Sequence, residues 1–271
     1  MNLLESILLG FLQGLTEFLP VSSSGHLVLA QHFFGVAGEE GTLFEVFLHL
    51  GTLFAVLLFF RKRIWELVIS MFTWKFSLQT QTHRHNHTLA LYLVISSVVT
   101  AVFYMIFKDF VEALYQQPLI VAFMLIITGA VVFVSDYIKS SAIPSSQMGI
   151  FRSAIIGLVQ GIAIIPGISR SGSTIAISLI TGIKRREAAE FSFLLSIPAI
   201  LGANLVIIGK FKELHLHDLG IYLGGFITAF IIGYLVIAFL IELISSAKLK
   251  YFSIYCWVVA AIAITLILSG V

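Results

Sequence analysis

The stretch "PVSSSGH" (residues 20–26) puts three serines and a histidine directly after an apolar N-terminal run. "PGISRSGS" (166–173) repeats the arrangement, with Arg170 where the first copy has Ser23. Backbone that leaves the helix at membrane depth is tolerated only where it is buried in protein or lines a polar cavity. Both stretches are therefore read as the tips of re-entrant hairpins, about 3–34 and 150–182, each with two short apolar arms. Composition supports a bilayer setting: of 271 residues, 59% are hydrophobic and 11% charged, against about 45–50% and 25% in soluble domains. The single cysteine, Cys256, excludes disulfides and cysteine-based metal or redox motifs. No nucleic-acid partner is expected.

Six further segments are long and apolar enough to span a bilayer, which takes roughly 20 residues: about 41–60, 89–107, 118–135, 190–209, 220–241 and 252–269. Polar loops at 78–88, 136–149 and 210–219 are too small to be domains. With the first span running from outside to inside, the inner side holds Arg61, Lys62, Arg63, Lys75, Arg84, Lys139, Arg152, Lys184, Arg185, Arg186, Lys248 and Lys250. The outer side keeps Lys108, Lys210 and Lys212. That asymmetry follows the positive-inside rule.

Each half then holds one hairpin and three spans, and because three is odd the halves are inverted. "GFLQGLTEFLPVSSSG" (10–25) aligns with "GLVQGIAIIPGISRSG" (157–172), with one residue slipped before the proline, and "VTAV" (99–102) is echoed by "ITAF" (227–230). The expected fold is an all-α polytopic membrane protein: a single membrane domain over 1–271, with six transmembrane helices and two re-entrant helical hairpins. Its inverted-topology repeats cover about 1–135 and 150–271. Such repeats place binding sites near the midplane, where the broken helices meet. The first hairpin enters from outside, so the site is expected to open to the outer face.

The first tip supplies Gln13, Glu17, Ser22, Ser23, Ser24, Gly25 and His26. The second supplies Gln160, Ser169, Arg170, Ser171, Gly172, Ser173 and Thr174. Gln13 and Glu17, four apart, share a helix face. A helix starting after each break aims N–H groups and a positive dipole end into the cavity, which favours an anion. Arg170 adds a planar fork that matches phosphate oxygens. Glu17 and His26 exceed what an anion sink needs; beside serines they supply the parts of a phosphoryl-transfer site. A carboxylate here serves as proton acceptor or as ligand to a hard cation, and spacing does not separate the two roles.

Together with "FEVFLHLGTLFAV" and "EFSFLLSIPA", the motifs "QGLTEFLPVSSSGH" and "PGISRSGSTI" closely resemble the bacitracin-resistance family of undecaprenyl-pyrophosphate phosphatases, over essentially the whole chain. The resemblance implies a bacterial plasma-membrane enzyme that hydrolyses undecaprenyl pyrophosphate to undecaprenyl phosphate, recycling the lipid carrier for cell-wall synthesis. Glu17, Ser23, His26 and Arg170 carry over as catalytic residues. Gln13, Ser22, Ser24, Gly25, Ser169, Ser171, Gly172, Ser173 and Thr174 are expected to bind substrate. The family's first motif is (E/Q)-x-x-x-E; Gln13 in its first position throws more weight on Glu17. The family needs a divalent cation, Mg²⁺ or Ca²⁺, for which Glu17 is the expected ligand. The nucleophile stays open between Ser23, His26 and water, and a homo-oligomer stays open.

A transporter or flippase of a lipid phosphate or other anion shares this architecture but does not need Glu17 and His26 at the anion site. Acid-phosphatase-like lipid phosphatases need a further histidine after the arginine, and "SGSTIAISLITG" (171–182) has none. "HRHNH" (83–87) reads as a solvated tract, and Ser178 and Ser196 as packing residues. Glu45 and His49 share a face that lines the cavity or packs near the outer interface.

Overall fold

The computed structural model describes residues 1–35, 41–73, 80–138, 142–207, 218–245 and 249–270, and no β-strand occurs among them. Lys75, Lys139, Lys210, Lys212 and Lys248 lie outside the described residues. Among the described residues five helices are long and apolar enough to cross a membrane: α5 (Gln81–Leu114), α6 (Pro118–Asp136), α9 (Arg185–Ile207), α10 (Leu219–Ser245) and α11 (Lys250–Leu268). A sixth is added if α3 (Gly41–Phe59) and α4 (Arg61–Phe72), bent by 77° at Phe60, count as one span.

Residues 61–73 are helical to Phe72, and the described part of the expected loop at 78–88 is helical from Gln81. Helix α4 carries its charges at the start and leaves Trp65, Val68, Met71 and Phe72 exposed, while Leu67 and Ser70 are buried. "HRHNH" forms the first turns of α5 rather than a solvated loop. Thr80 caps that helix, its hydroxyl accepting from the His83 N–H at 3.4 Å, and buried Asn86 accepts from Arg63 Nη1 at 2.6 Å. Arg63 also donates to Glu190 at 2.7 Å, tying α4 to α5 and α9.

Both interrupted segments are broken helices: α1 (Leu3–Thr16) with α2 (Ser23–Phe34), and α7 (Gly149–Ile162) with α8 (Arg170–Ile180). Their arms of 14, 12, 14 and 11 residues fall short of the roughly 20 a span needs. The first arms dock through glycines. A methyl group on Gly10 would run into the Gly225 carbonyl of α10, and one on Gly157 into the Ser96 carbonyl of α5. Such close approach is how helices associate where lipid is as apolar as leucine. The aligned glycines thus pack α1 on α10 and α7 on α5, the second long helix of the other half each time.

Phe18, at the first break, is fully buried edge-on against Phe193 of α9 at 5.7 Å. The outer surface is apolar instead, with Met105, Ile106, Phe110, Leu235 and Phe239 well exposed; an apolar surface of this kind is solvated by hydrocarbon, not water. Ser178 and Ser196 donate to carbonyls of their own helices, Thr174 at 2.7 Å and Phe193 at 2.6 Å, in keeping with packing roles.

Candidate active site

The two breaks meet backbone to backbone. A methyl group on Gly25 would sit 2.9 Å from Gly167 Cα. Ser171 Oγ donates to the Leu19 carbonyl at 3.0 Å, and Ser22 Oγ to the Ile168 carbonyl at 3.4 Å. Each second arm is capped alike: Ser22 Oγ accepts from the Gly25 N–H at 3.2 Å, and Ser169 Oγ from the Gly172 N–H at 3.0 Å. These caps satisfy one orphan donor per helix. The other first-turn N–H groups of α2 and α8 lie at these two breaks, and helix N-termini attract anions.

The turns are held under strain. Ser22 has φ 71°, the one non-glycine residue with positive φ among the described residues, a conformation that persists only when its surroundings over-determine it. Here they do: its carbonyl accepts from the His26 N–H at 3.2 Å and from His26 Nδ1 at 2.8 Å. Gly167 has φ 93° and lies so close to Val121 and Met124 of α6 that no side chain fits. Thr128 of the same helix donates to the Gly167 carbonyl at 2.8 Å and accepts from the Ser169 N–H at 2.9 Å.

Glu17 is the hub. Its Oε1 accepts from Arg170 Nη2. Its Oε2 accepts from Ser23 Oγ at 2.5 Å and from Gln13 Nε2 at 3.0 Å. His49 of α3 brings Nε2 to 3.8 Å from the same oxygen. The Glu17 side chain is 6% exposed and that of Arg170 15%, so the charges are paired where water is scarce. Removing either partner from such a pair is costly, because it strands the other. Arg170 Nη1 also reaches the Ser192 carbonyl at 3.4 Å.

Of the residues expected from sequence, Gln13, Glu17, Ser23 and Arg170 thus form one bonded cluster. Ser22, Ser24, Gly25, Ser169, Ser171 and Gly172 build the turns and caps around it, with Ser22 Oγ 3.4 Å from Ser24 Oγ and Ser169 Oγ 3.2 Å from Ser171 Oγ. Ser173 is buried on α8. Thr174 points away, bonding the Arg170 carbonyl at 2.8 Å and Ser192 Oγ at 2.6 Å. His26 bonds Tyr255 of α11 through Nε2 at 3.0 Å, with the two rings parallel within 6°. Glu45 and His49 line the site: Gln31 donates to Glu45 at 2.6 Å, and the Glu45 carbonyl holds His49 Nδ1 at 2.8 Å. His49 shares a helix face with Glu45 and lies with it in "FEVFLHLGTLFAV", and Ser192 lies in "EFSFLLSIPA". Thr128 and Tyr255 stand in no motif.

Within the bonded cluster Glu17 is the only carboxylate among the described residues, and Glu45 is engaged by Gln31. Among the described residues no group of three or more His, Cys, Asp or Glu could hold a metal. Gln13 Oε1, however, is fully buried and bonded to nothing. Together with Glu17 it offers the sparse oxygen set that suits an ion taking its remaining ligands from substrate phosphate and water.

The family model described as bacitracin resistance protein BacA matches residues 6–262. Proteins named undecaprenyl-diphosphatase are similar over nearly their whole length. The one from Desulforapulum autotrophicum is 41% identical, covering 97% of this chain and 98% of its own. That from Syntrophotalea carbinolica is also 41% identical, covering 95% and 96%. That from Methanobrevibacter smithii is 40% identical, covering 97% and 96%.

Proposed function

The chain belongs to the family of the bacitracin resistance protein BacA, and on that premise we propose that it is an undecaprenyl-diphosphatase. It hydrolyses undecaprenyl pyrophosphate to undecaprenyl phosphate and inorganic phosphate, returning the lipid carrier to cell-wall synthesis. One observation carries the chemical reading: Ser23 donates its hydroxyl proton to Glu17 at 2.5 Å while Arg170 pairs with the other carboxylate oxygen. A nucleophile, its base and a phosphate fork therefore already stand in contact.

The diphosphate head takes the Arg170 fork from Glu17, leaving the carboxylate to Ser23. Ser23 Oγ attacks the terminal phosphorus and passes its proton to Glu17. The bridging P–O bond breaks, and its electron pair leaves on the oxygen of undecaprenyl phosphate, which takes the proton from Glu17. Water then cleaves the phosphoserine: Glu17 takes a proton from the water, the hydroxyl joins phosphorus to give inorganic phosphate, and the Oγ–P bond breaks with its electron pair on Ser23 Oγ, which takes that proton from Glu17. His26 clamps the Ser22 turn that presents Ser23. A cation held by Glu17 and Gln13 Oε1 would neutralise charge on the phosphates. Transport of a lipid phosphate is not favoured, because the relatives carry an enzyme's name.

The finer architecture is part of the same reading: six spans and two re-entrant hairpins form one membrane domain of inverted repeats in the bacterial plasma membrane. Support comes from which helix ends are tied together. Arg152 at the start of α7 donates to the Thr181 carbonyl after α8 at 3.0 Å. Asp136 at the end of α6 accepts from the Leu249 N–H before α11 at 3.2 Å and pairs with Arg185. Arg63 reaches Glu190 and Asn86. These basic ends share one side, the cytoplasmic one. At the opposite side Ser6 donates to the Ile221 carbonyl and Gln31 to Glu45, where the base of the first hairpin and the site's His49 and Glu45 open to the exterior.

The test is phosphate release by purified protein in detergent, where no transport is possible, on undecaprenyl and farnesyl diphosphate with and without chelator. Release that chelation suppresses is expected. Folded protein that releases none from either substrate would overturn the reading.

A further inference from the structure

The turn from Glu17 to Ser22 has two faces. One presents the polar cluster; the other borders an apolar groove of about 270 Å³, where Leu15, Leu19 and Val21 face Tyr251, Phe252 and Tyr255 of α11. Thr16 also lines it, but its hydroxyl is spent on the Leu12 carbonyl at 2.7 Å. The groove therefore has no charged wall, and its polar side-chain atoms besides Thr16 are the hydroxyls of Tyr251 and Tyr255. The Tyr255 hydroxyl sits 3.0 Å from His26 Nε2. The Ser22 carbonyl can only accept, so Nδ1 carries the ring proton and Nε2 presents a lone pair to Tyr255. The groove thus begins at a histidine three residues from Ser23, while Tyr251 and Tyr255 leave its outer edge exposed towards lipid.

We propose that this groove seats the isoprene units next to the diphosphate, and that Tyr255 is a positioning residue that orients His26 for the seated substrate; the inference rests on the phosphatase reading above. A diphosphate on Arg170 and Ser23 must lead its first apolar carbons out of a polar cluster. The groove lies against the same turn, with the Tyr255 hydroxyl of its wall bonded to His26, and burying those carbons there gains hydrophobic free energy per unit area. A bulk phospholipid has no diphosphate to anchor it at Arg170, so the occupant is the substrate's own chain.

Kinetics of two variants separate the two halves of the proposal. Leu15→Trp, which fills the groove, is expected to raise KM for undecaprenyl and farnesyl diphosphate by about tenfold or more, with kcat nearly unchanged. Tyr255→Phe keeps the wall and removes the hydroxyl; it is expected to lower kcat by about tenfold with KM unchanged. A loss of folded protein would lower kcat for both variants alike and shift KM in neither. On the wild-type protein, which needs no variant to fold, a prenyl diphosphate with a diazirine in its first isoprene unit should label residues 15–21 and 251–255. Unlabelled farnesyl diphosphate should compete for that labelling and phosphatidylglycerol should not. Labelling elsewhere, competition by the phospholipid, or an unmoved KM in folded Leu15→Trp overturns the groove. Wild-type kinetics in Tyr255→Phe overturn the positioning role. A wild-type protein that releases no phosphate at all is the separate failure of the phosphatase reading.

Discussion

Replacing Arg170 by lysine isolates what the guanidinium does. The side chain is 15% exposed and pairs with Glu17, itself 6% exposed. Arg170→Ala would leave that carboxylate without its cation, a cost of about 3–5 kcal/mol in a buried pair, so lost activity there would be mixed with lost folding. Arg170→Lys keeps the charge and hence most of the pairing. It loses the fork, whose second arm now reaches only the Ser192 carbonyl at 3.4 Å and is the arm available to a phosphate. One charge-assisted hydrogen bond contributes about 1.5–3 kcal/mol, which corresponds to roughly a ten- to hundredfold loss in kcat/KM. Phosphate release from undecaprenyl diphosphate gives the rate, and thermal unfolding in the same detergent gives the folded fraction. A folded Arg170→Lys within twofold of the unaltered protein would refute bidentate phosphate binding and leave Arg170 as Glu17's structural partner.

Further outcomes follow from the same contacts. Glu17→Gln keeps the shape but not the charge, so a near-normal rate would remove both the base and the cation roles; if Glu17 holds metal, raised Mg²⁺ should partly restore Glu17→Asp. Ser23→Ala should lose nearly all activity, and a phosphorylated enzyme should be trapped at Ser23 in the unaltered protein; single turnover in heavy-oxygen water that labels phosphate without such an intermediate would give the attack to water. Gly167→Ala adds a methyl at φ 93° against α6, so its melting point should fall by the equivalent of about 1–3 kcal/mol, and an unchanged melting point would mean that the turn relaxes freely. In a Cys256→Ser background, Ser24→Cys should react in intact cells with a membrane-impermeant thiol reagent; labelling from inverted vesicles alone would sink the outward-facing site.

The breaks at 17–22 and 163–169 were legible because Pro, Gly and Ser interrupt apolar runs whatever surrounds them, and the long helices because an apolar stretch of that length has few other uses. Gln13, Glu17, Ser23 and Arg170 were legible for a related reason: charged and amide groups are expensive at membrane depth, so they stand out against their neighbours. Only the tertiary structure decided how they pair. It put Ser23 and Arg170 on opposite oxygens of one carboxylate and turned His26 away towards Tyr255. It turned Thr174 into α9 and brought His49 to Glu17. It also made a helix of 61–72, bent away from α3, and a capped helix start of 81–88. Helices α3, α6, α10 and α11 are apolar nearly all round. In a bilayer the side facing lipid and the side facing protein read alike, and the rotation that aims Tyr255 at a histidine 229 positions away is set by packing between helices, which no local pattern records.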